Sequence, residues 1–233
     1  MALLGGKRTV MTKIAILQSN YIPWRGYFEI ISKVDTFVIY DEVQYTKNDW
    51  RNRNQIKTPN GLVWLTIPVK QINLNQKISE TEVVNQTWRR KHLNSIRLNY
   101  AKSPFFKEYI DGIAKLYGGN ETLLSEINLN FIREICNILN IKTRIIDSKD
   151  LKLEGDRNQR LVDACKKLNA TSYLSGKAAQ SYIDEDLFAK NNIEVKWMDY
   201  SHFNEYPQLC PPFNMGVSII DTILNIGNKN IFS

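Results

Sequence analysis

Two short apolar runs, IAIL and FVIY, flank an amphipathic segment near the start of the chain. In that segment Phe28, Ile31 and Val34 recur at the spacing of one helix face. A strand, a helix and a second strand in this order form a unit whose two strands are parallel neighbours. The pattern predicts strands over 13–17 and 36–40 and a helix over 24–33.

The middle of the chain changes from strand periodicity to helix periodicity. Two β-rich segments flank Pro59 and the Asn60-Gly61 pair, residues that favour a tight turn, and they predict a β-hairpin near 52–69. Three amphipathic stripes follow, each with apolar residues every three or four positions. They predict a helical insertion or subdomain near 86–140.

The last third returns to strand–helix alternation, which is typical of a mostly parallel sheet with helices on both faces. The predicted fold class is therefore α/β, and residues 11–233 are expected to form a single domain. Residues 1–10 precede Met11 and the first strand, and we interpret them as a leader or loose extension. The predicted strands are 143–146, 171–175 and 193–197, and the predicted helices are 158–168, 178–190 and 217–226.

The amino-acid composition indicates in which compartment the protein resides and which cofactors it can hold. No apolar run approaches the roughly 18 residues that a membrane helix needs, so no membrane span is expected. Three widely spaced cysteines fit a reducing compartment and predict a cytoplasmic protein. With two histidines and no zinc-type spacing, no tightly bound metal is expected. The magnesium of a bound nucleotide would leave little trace in the sequence.

A net charge of +7 favours anionic partners. The charge is dispersed and no nucleic-acid-binding motif is present, so a nucleotide-linked sugar or another phosphorylated small molecule is preferred to nucleic acid. The sequence carries no signal of oligomeric state.

Polar and aromatic residues concentrate where the predicted strands end. Ligands of open parallel sheets bind outside the carboxyl ends of the strands, so we expect these side chains to converge on one pocket, with Asp41, His202 and Tyr27 as catalytic candidates. Trp24, Tyr27, Asp41, Tyr45 and Ser175 are expected to line it together. The candidate substrate- and phosphate-binding residues are Gln18, Asn20, Tyr21, Trp24, Arg25, Gly26, Gln44, Tyr45, Lys47, Asn52, Arg53, Ser175, Gly176 and Lys177.

The loop YTKNDWRNRNQ places Lys47, Arg51 and Arg53 within seven residues of one another. Three cations so close repel one another unless they are solvated or matched by anions. Two phosphates of a nucleotide sugar would match them, with Tyr45 and Trp50 stacked on a ring. The alternative is a solvated charged surface.

The long segments LQSNYIPWRGYFEIISKVDTFVIYDEVQYTKNDWRNRNQIKTPNGLVWLTIPV, ATSYLSGKAAQSYIDEDLF and YPQLCPPFNMGVSIIDTILNIG resemble the WbqC-like protein family. The resemblance covers nearly the whole chain after Met11. It implies a place in gene clusters for O-antigen and other surface polysaccharides.

A weaker resemblance concerns the turn Trp24-Arg25-Gly26-Tyr27, which stands where the nucleotidyltransferase superfamily has HxGH. That resemblance implies a nucleotidyltransferase-like, Rossmann-like sheet, with Gly26 where the backbone approaches a phosphate. Both histidines of the motif are absent here.

Together these features predict a transferase that attaches an acyl or aminoacyl group to a nucleotide-linked amino sugar. Two alternatives stay open: an ATP-dependent adenylate-forming ligase, and a non-catalytic protein that binds nucleotide sugars or assembles polysaccharide enzymes.

Overall fold

A computed structural model describes residues 11–229, 231 and 232 of the chain. The interpretation of residues 1–10 as a leader lies outside these residues. The strands are β1 (Lys13–Leu17), β2 (Thr36–Ile39), β3 (Arg53–Thr58), β4 (Gly61–Thr66), β5 (Arg144–Asp147), β6 (Ser172–Ser175) and β7 (Glu194–Trp197). The α-helices are α1 (Arg25–Ser32), α2 (Thr87–Tyr100), α3 (Phe106–Leu116), α4 (Leu124–Ile138), α5 (Arg157–Lys167), α6 (Glu185–Lys190) and α7 (Ile219–Ile226).

Five strands form one parallel sheet in the order β5-β2-β1-β6-β7. The predicted α/β class is confirmed, and the strands predicted on both sides of the helical segment do lie in one sheet. From β1 the chain continues to β2 and then β5 on one side of the sheet. It then returns to β6, on the other side of β1, and continues to β7. A topological switch point therefore lies between β1 and β6, the place where open α/β sheets bind ligands.

Helices cover both faces of the sheet because its central strands are apolar on both sides. Ala15 and Phe37 face a core that contains α1, α7 and the three helices α2 to α4. Ile16 and Val38 face the other core, which contains α5 and α6. The alternation of neighbouring residues between the two cores is the period of two expected of a strand.

The predicted hairpin is present as a separate two-stranded sheet of β3 and β4. Gly61 has a φ of +102°, in the left-handed region that favours glycine, at the tight turn. Strand β4 ends at Thr66, earlier than predicted. The Ile67 N–H still donates across the hairpin to the Asn52 carbonyl, but the Asn52 N–H turns back to the Asp49 carbonyl and Pro68 has no N–H to pair, so the ladder stops there. Most of β4 is exposed.

The predicted helix over 178–190 is divided in two. A 3-10 helix covers Lys177–Ser181, and α6 begins only at Glu185. The break occurs at Asp184, whose side chain accepts a hydrogen bond from the Leu187 backbone N–H and caps α6. Asp favours such a cap over a helix interior, so a local cap ends the continuous helix that the apolar spacing indicated.

Candidate functional site

A cavity of about 520 Å³ opens at the carboxyl end of the sheet, beside the switch point. Polar groups reach it from the ends of β1 and β2, from the segment after β2 and from the first turn of α5. An adjoining cavity of about 300 Å³ shares Tyr40 and Arg160 with the first. We call the two together the basic cleft, and its main polar residues are Gln18, Tyr40, Glu42, Gln44, Thr46, Lys77, Ser148, Lys149, Lys152, Asp156, Arg157, Arg160 and Tyr182.

Cations dominate the basic cleft. Arg157, Arg160 and Lys152 form no ion pair among the residues that the structure describes. The Arg157 guanidinium lies 3.3 Å from the centroid of the Tyr182 ring, which holds it in place by a cation–π contact. These free positive charges favour an anionic ligand.

Two buried polar atoms of the cleft lack partners. The Arg160 Nε and the Ser148 Oγ have no hydrogen-bond partner in the described part of the chain, and Ser148 is only 2% exposed. A buried polar group without a partner is costly, but protein atoms cover both of these, so a ligand would reach them only after a local shift of the cleft wall.

Helix α5 places the arginines at the cleft. Asp156 caps its N-terminus, since its side chain accepts from the Gln159 backbone N–H and the Gln159 side chain accepts from the Asp156 N–H. Arg157 and Arg160 are therefore in the first turn, where the helix dipole also favours anions.

A second cavity, of about 380 Å³, lies beyond the end of β1. We call it the aromatic cavity. Its lining is mainly apolar and consists of Asn20, Pro23, Trp24, Trp50, Asn54, Met215 and Gly216.

Arg51 connects the two sites. Its Nη2 donates to the Gln18 Oε1 at 2.6 Å, and its Nη1 donates to the Asn20 Oδ1 at 3.0 Å. Gln18 lines the basic cleft and Asn20 lines the aromatic cavity. Arg51 also pairs with Asp49 at 3.5 Å. A single guanidinium thus fixes one amide side chain in each site.

Asp41 is buried at the end of β2 and lines neither site. Its Oδ1 accepts a 2.8 Å hydrogen bond from the Ser19 backbone N–H, whereas its Oδ2 has no partner among the described residues. Burial raises the pKa of Asp41 to about 6, and the Asp147 charge adds to this. The carboxyl is basic enough to act near neutral pH, but protein atoms separate it from both sites.

The other two catalytic candidates, Tyr27 and His202, also line neither site. The Tyr27 hydroxyl donates to the Gln18 carbonyl at 2.9 Å, and burial raises its pKa well above the usual value. His202 is partly exposed and pairs with Glu29 of α1, Nε2 to Oε1, at 2.8 Å. The Asp41 charge contributes to the raised pKa of Tyr27, so these two buried side chains are near each other, but His202 pairs with Glu29 instead.

Two of the residues predicted to bind substrate are part of the core. The hydroxyl of Tyr21 is 2.9 Å from both the His92 Nδ1 and the Tyr117 hydroxyl, and the residue is fully buried. Arg25 is 1% exposed. Its guanidinium lies over the Phe203 ring and donates to the Asn204 carbonyl. The Tyr21 hydroxyl is satisfied internally, whereas the Arg25 Nε has no partner among the described residues. Both side chains are too deeply buried to reach a ligand.

The glycine at position 26 makes room for the Trp24 indole. A Cβ at Gly26 would overlap the Trp24 indole, which occupies the space above this glycine. The indole also contacts the Tyr200 and Phe203 rings, with centroids 4.9 and 6.0 Å away. This contact explains why position 26 has no side chain, and an approach of the Gly26 backbone to a phosphate stays a prediction.

The basic loop after β2 bends back on the protein. Arg53 lies over the Trp64 ring at 4.2 Å and donates to the Asn48 carbonyl. Lys47 is exposed, and neither residue lines the basic cleft. Binding of phosphate by this loop stays a prediction.

Tyr45 and Asn52, also predicted to bind substrate, are buried. The Asn52 amide donates to the Ile67 carbonyl at 2.9 Å, and burial raises the pKa of Tyr45. Gln44 does line the cleft, and its amide bonds to the Leu74 carbonyl.

The strand end at β6 contributes less than predicted. Ser175 is 2% exposed. Gly176 precedes the 3-10 helix, and its carbonyl accepts from the Ala179 N–H. Lys177 pairs with Asp199 at 3.0 Å, and the Ser201 hydroxyl and Lys177 hold the pKa of that carboxyl down to about 2.

The expected common pocket is therefore divided. Of Trp24, Tyr27, Asp41, Tyr45 and Ser175, only Trp24 lines one of the two sites. The other four side chains are buried because the helices and loops close over the strand ends beside them.

Sequence reasoning missed Arg157, Arg160 and Tyr182. A signal was present in the stretch EGDRNQR, in which a helix cap is followed by two arginines one turn apart. The stretch follows the predicted strand 143–146, so strand-end reasoning could have found the two arginines.

Neither a metal nor a membrane site is evident in the described residues. They contain no cluster of three or more His, Cys, Asp or Glu side chains able to hold a metal ion. No helix among them is both long and apolar enough to cross a membrane.

The fold and the cleft define an open parallel α/β protein with a polar strand-end site. The chain belongs to the WbqC-like protein family, whose profile matches residues 18–232. It is 44% identical over 219 residues to the uncharacterized protein Rv1507c of Mycobacterium tuberculosis (strain ATCC 25618 / H37Rv), an alignment that covers 93% of this chain and 95% of that protein. No solved structure matches the chain.

Proposed function

We propose that the protein binds a nucleotide-linked amino sugar in the basic cleft and transfers an acyl or aminoacyl group to its amine, as a step in surface-polysaccharide biosynthesis. The observation that carries the proposal is the pair Arg157 and Arg160 at the N-terminus of α5, beside the switch point. Two phosphates would match these cations, and Tyr40 and Tyr182 supply flat surfaces for a base or sugar ring.

In the proposed reaction the amine nitrogen forms a bond to the acyl carbon while the bond from that carbon to its leaving group breaks. With an acyl thioester as donor, the departing thiolate takes up the proton that the amine loses. The protein then contributes mainly by holding the two substrates close together and correctly oriented, an effect that can supply much of a rate enhancement. The free cysteines Cys136, Cys165 and Cys210 fit a cytoplasmic setting for this reaction.

The geometry gives less support to an adenylate-forming ligase. That alternative depends on the turn at Gly26, which the Trp24 indole covers, and on Arg25, which is in the core. A protein that binds nucleotide sugars without turnover would use the same cleft, and the experiments below distinguish it.

Calorimetric titration with UDP, GDP, ADP and their hexose derivatives tests the binding step. Arg160→Ala should weaken binding by about ten- to a hundredfold, the value of a charge-assisted hydrogen bond of roughly 1.5–3 kcal/mol. Arg160→Lys should restore only part of the affinity, because an ammonium group cannot form the two parallel hydrogen bonds of a guanidinium. Arg90→Ala, which removes an exposed charge on α2, is the matched control.

Equal affinity in the wild type and Arg160→Ala would remove Arg160 from the site, and no binding to any nucleotide would refute the proposal. For turnover, a UDP-linked amino sugar and an acyl-coenzyme A thioester are incubated with the protein, and mass spectrometry looks for the acylated sugar. Tight binding without any product from a range of donors would favour the non-catalytic alternative.

A further inference from the structure

The aromatic cavity has the lining of a pocket for an uncharged group. Its apolar walls are the side chains of Trp24 and Trp50, together with Pro23 and Met215. Among the described residues, none of those that line it carries a charge. A charged ligand group would lose hydration there without gaining a partner, which is costly.

The two indoles are held in place from outside the cavity. Trp24 lies over Gly26, where any side chain would collide with it. The Trp50 carbonyl accepts from the Tyr21 N–H at 2.9 Å, and its ring contacts Trp64 at a centroid distance of 5.5 Å. The walls are therefore ordered before a ligand arrives, which reduces the entropy cost of binding.

The side-chain polar atoms that remain available in the cavity are hydrogen-bond donors. Asn54 is fully used, since its amide donates to the Tyr21 and Ile22 carbonyls and its oxygen accepts from the Gln55 N–H. The Asn20 oxygen accepts from Arg51, which leaves the Asn20 Nδ2 as the free end of that amide. The indoles carry N–H groups, which only donate.

Apolar walls with a few donors match an acyl group, which has an apolar chain and a carbonyl oxygen that accepts. Their side chains suit a sugar ring, whose hydroxyls also need acceptors, or an ammonium group, which needs an acceptor or a carboxylate, less well. The cavity is also close to the basic cleft, because Gln18 and Asn20 are two residues apart and a chain of two residues spans at most about 7 Å.

We propose that the aromatic cavity binds the uncharged acyl group of the transfer reaction, with its chain between Trp24 and Trp50 and its carbonyl oxygen bonded to the Asn20 Nδ2. The inference rests on the proposed function and makes it more specific: the group transferred is a neutral acyl group and not an aminoacyl group with a free ammonium. Arg51 then fixes the position of the acyl-binding Asn20 relative to the cleft residue Gln18.

Hexanamide and hexylammonium, which share a chain but differ in the polar end, test the inference directly. Ligand-observed NMR should detect binding of hexanamide and not of hexylammonium to the wild-type protein. Asn20→Asp keeps an acceptor for Arg51 and replaces the free donor with an acceptor. The variant should bind hexanamide about tenfold more weakly and should gain affinity for hexylammonium.

Trp50→Ala removes one wall and should also weaken hexanamide binding about tenfold. Leu98→Ala, which removes an exposed apolar side chain of α2 that does not line the cavity, is its control. Equal binding of the two probes by the wild type, or unchanged hexanamide affinity in Asn20→Asp, would overturn the inference. A UDP titration of the same samples separates the two proposals: UDP binding without hexanamide binding overturns only the acyl site, and hexanamide binding without UDP binding refutes only the nucleotide cleft.

Discussion

Replacing Asp41 with asparagine should stabilise the protein above pH 6. The Asp41 side chain is 2% exposed, and its Oδ2 has no partner among the described residues. Ionisation therefore places a poorly compensated charge in the core, which is why burial raises the pKa. An asparagine side chain has the same shape and can still accept the hydrogen bond from the Ser19 N–H.

The magnitude follows from the pKa. A shift from 3.8 to about 6 corresponds to about 3 kcal/mol at about 1.36 kcal/mol per pKa unit. The pKa of the folded state is the higher one. The Asp41 carboxyl therefore has no effect on wild-type stability below about pH 4, lowers it progressively between pH 4 and 6, and lowers it by a constant amount above pH 6. The asparagine of the variant does not titrate, so the advantage of the variant appears only as the pH rises through this window.

Urea unfolding at pH 3.5, 5 and 8 provides the measurement. The free energy of unfolding of Asp41→Asn should equal that of the wild type at pH 3.5 and exceed it by up to about 3 kcal/mol at pH 8. Asp199→Asn removes an exposed carboxylate and should give no such gain. A lower stability of Asp41→Asn at pH 8, or a difference that does not change with pH, would show that Asp41 is not a buried acid of raised pKa.

Three further substitutions test separate contacts. Gly26→Ala should displace the Trp24 indole, lower stability by roughly 1–3 kcal/mol and shift the tryptophan fluorescence, and an unchanged spectrum would contradict the close contact. Tyr21→Phe should cost about 1–3 kcal/mol in urea unfolding, because its hydroxyl serves two buried partners, and a neutral effect would mean that these bonds contribute little. Arg51→Lys should weaken nucleotide and hexanamide binding together in titrations, since it breaks the fork between Gln18 and Asn20, whereas loss of only one would show that the sites are independent.

The sheet could be predicted because each strand carries its own signal. The apolar runs at β1 and β2 and the intervening helix period identify parallel neighbours without any knowledge of distant contacts. Gln18 and Gln44, which the rule that ligands bind at strand ends singles out, both line the cleft.

The division of the strand-end residues between core and cleft could not be predicted in the same way. Tyr21 and Tyr27 follow the same strand as Gln18, but whether a tyrosine is exposed depends on what packs over it. Tyr21 meets His92 and Tyr117, which are 71 and 96 residues away along the chain. Such long-range contacts leave no local pattern, and a tyrosine is equally suited to a core or to a ligand pocket.

The exposed strand β4 has a consequence for handling the protein in solution. Its sequence, GLVWLT, has no charged residue, and Leu62, Val63 and Trp64 are each about 40% exposed. Within the described residues β4 pairs only with β3, so its outer edge offers backbone groups to another chain. The net charge of +7 keeps molecules apart at low ionic strength. Added salt screens that repulsion, so the colloidal stability of the protein should decrease as salt increases, and a lysine in place of Val63 should restore it.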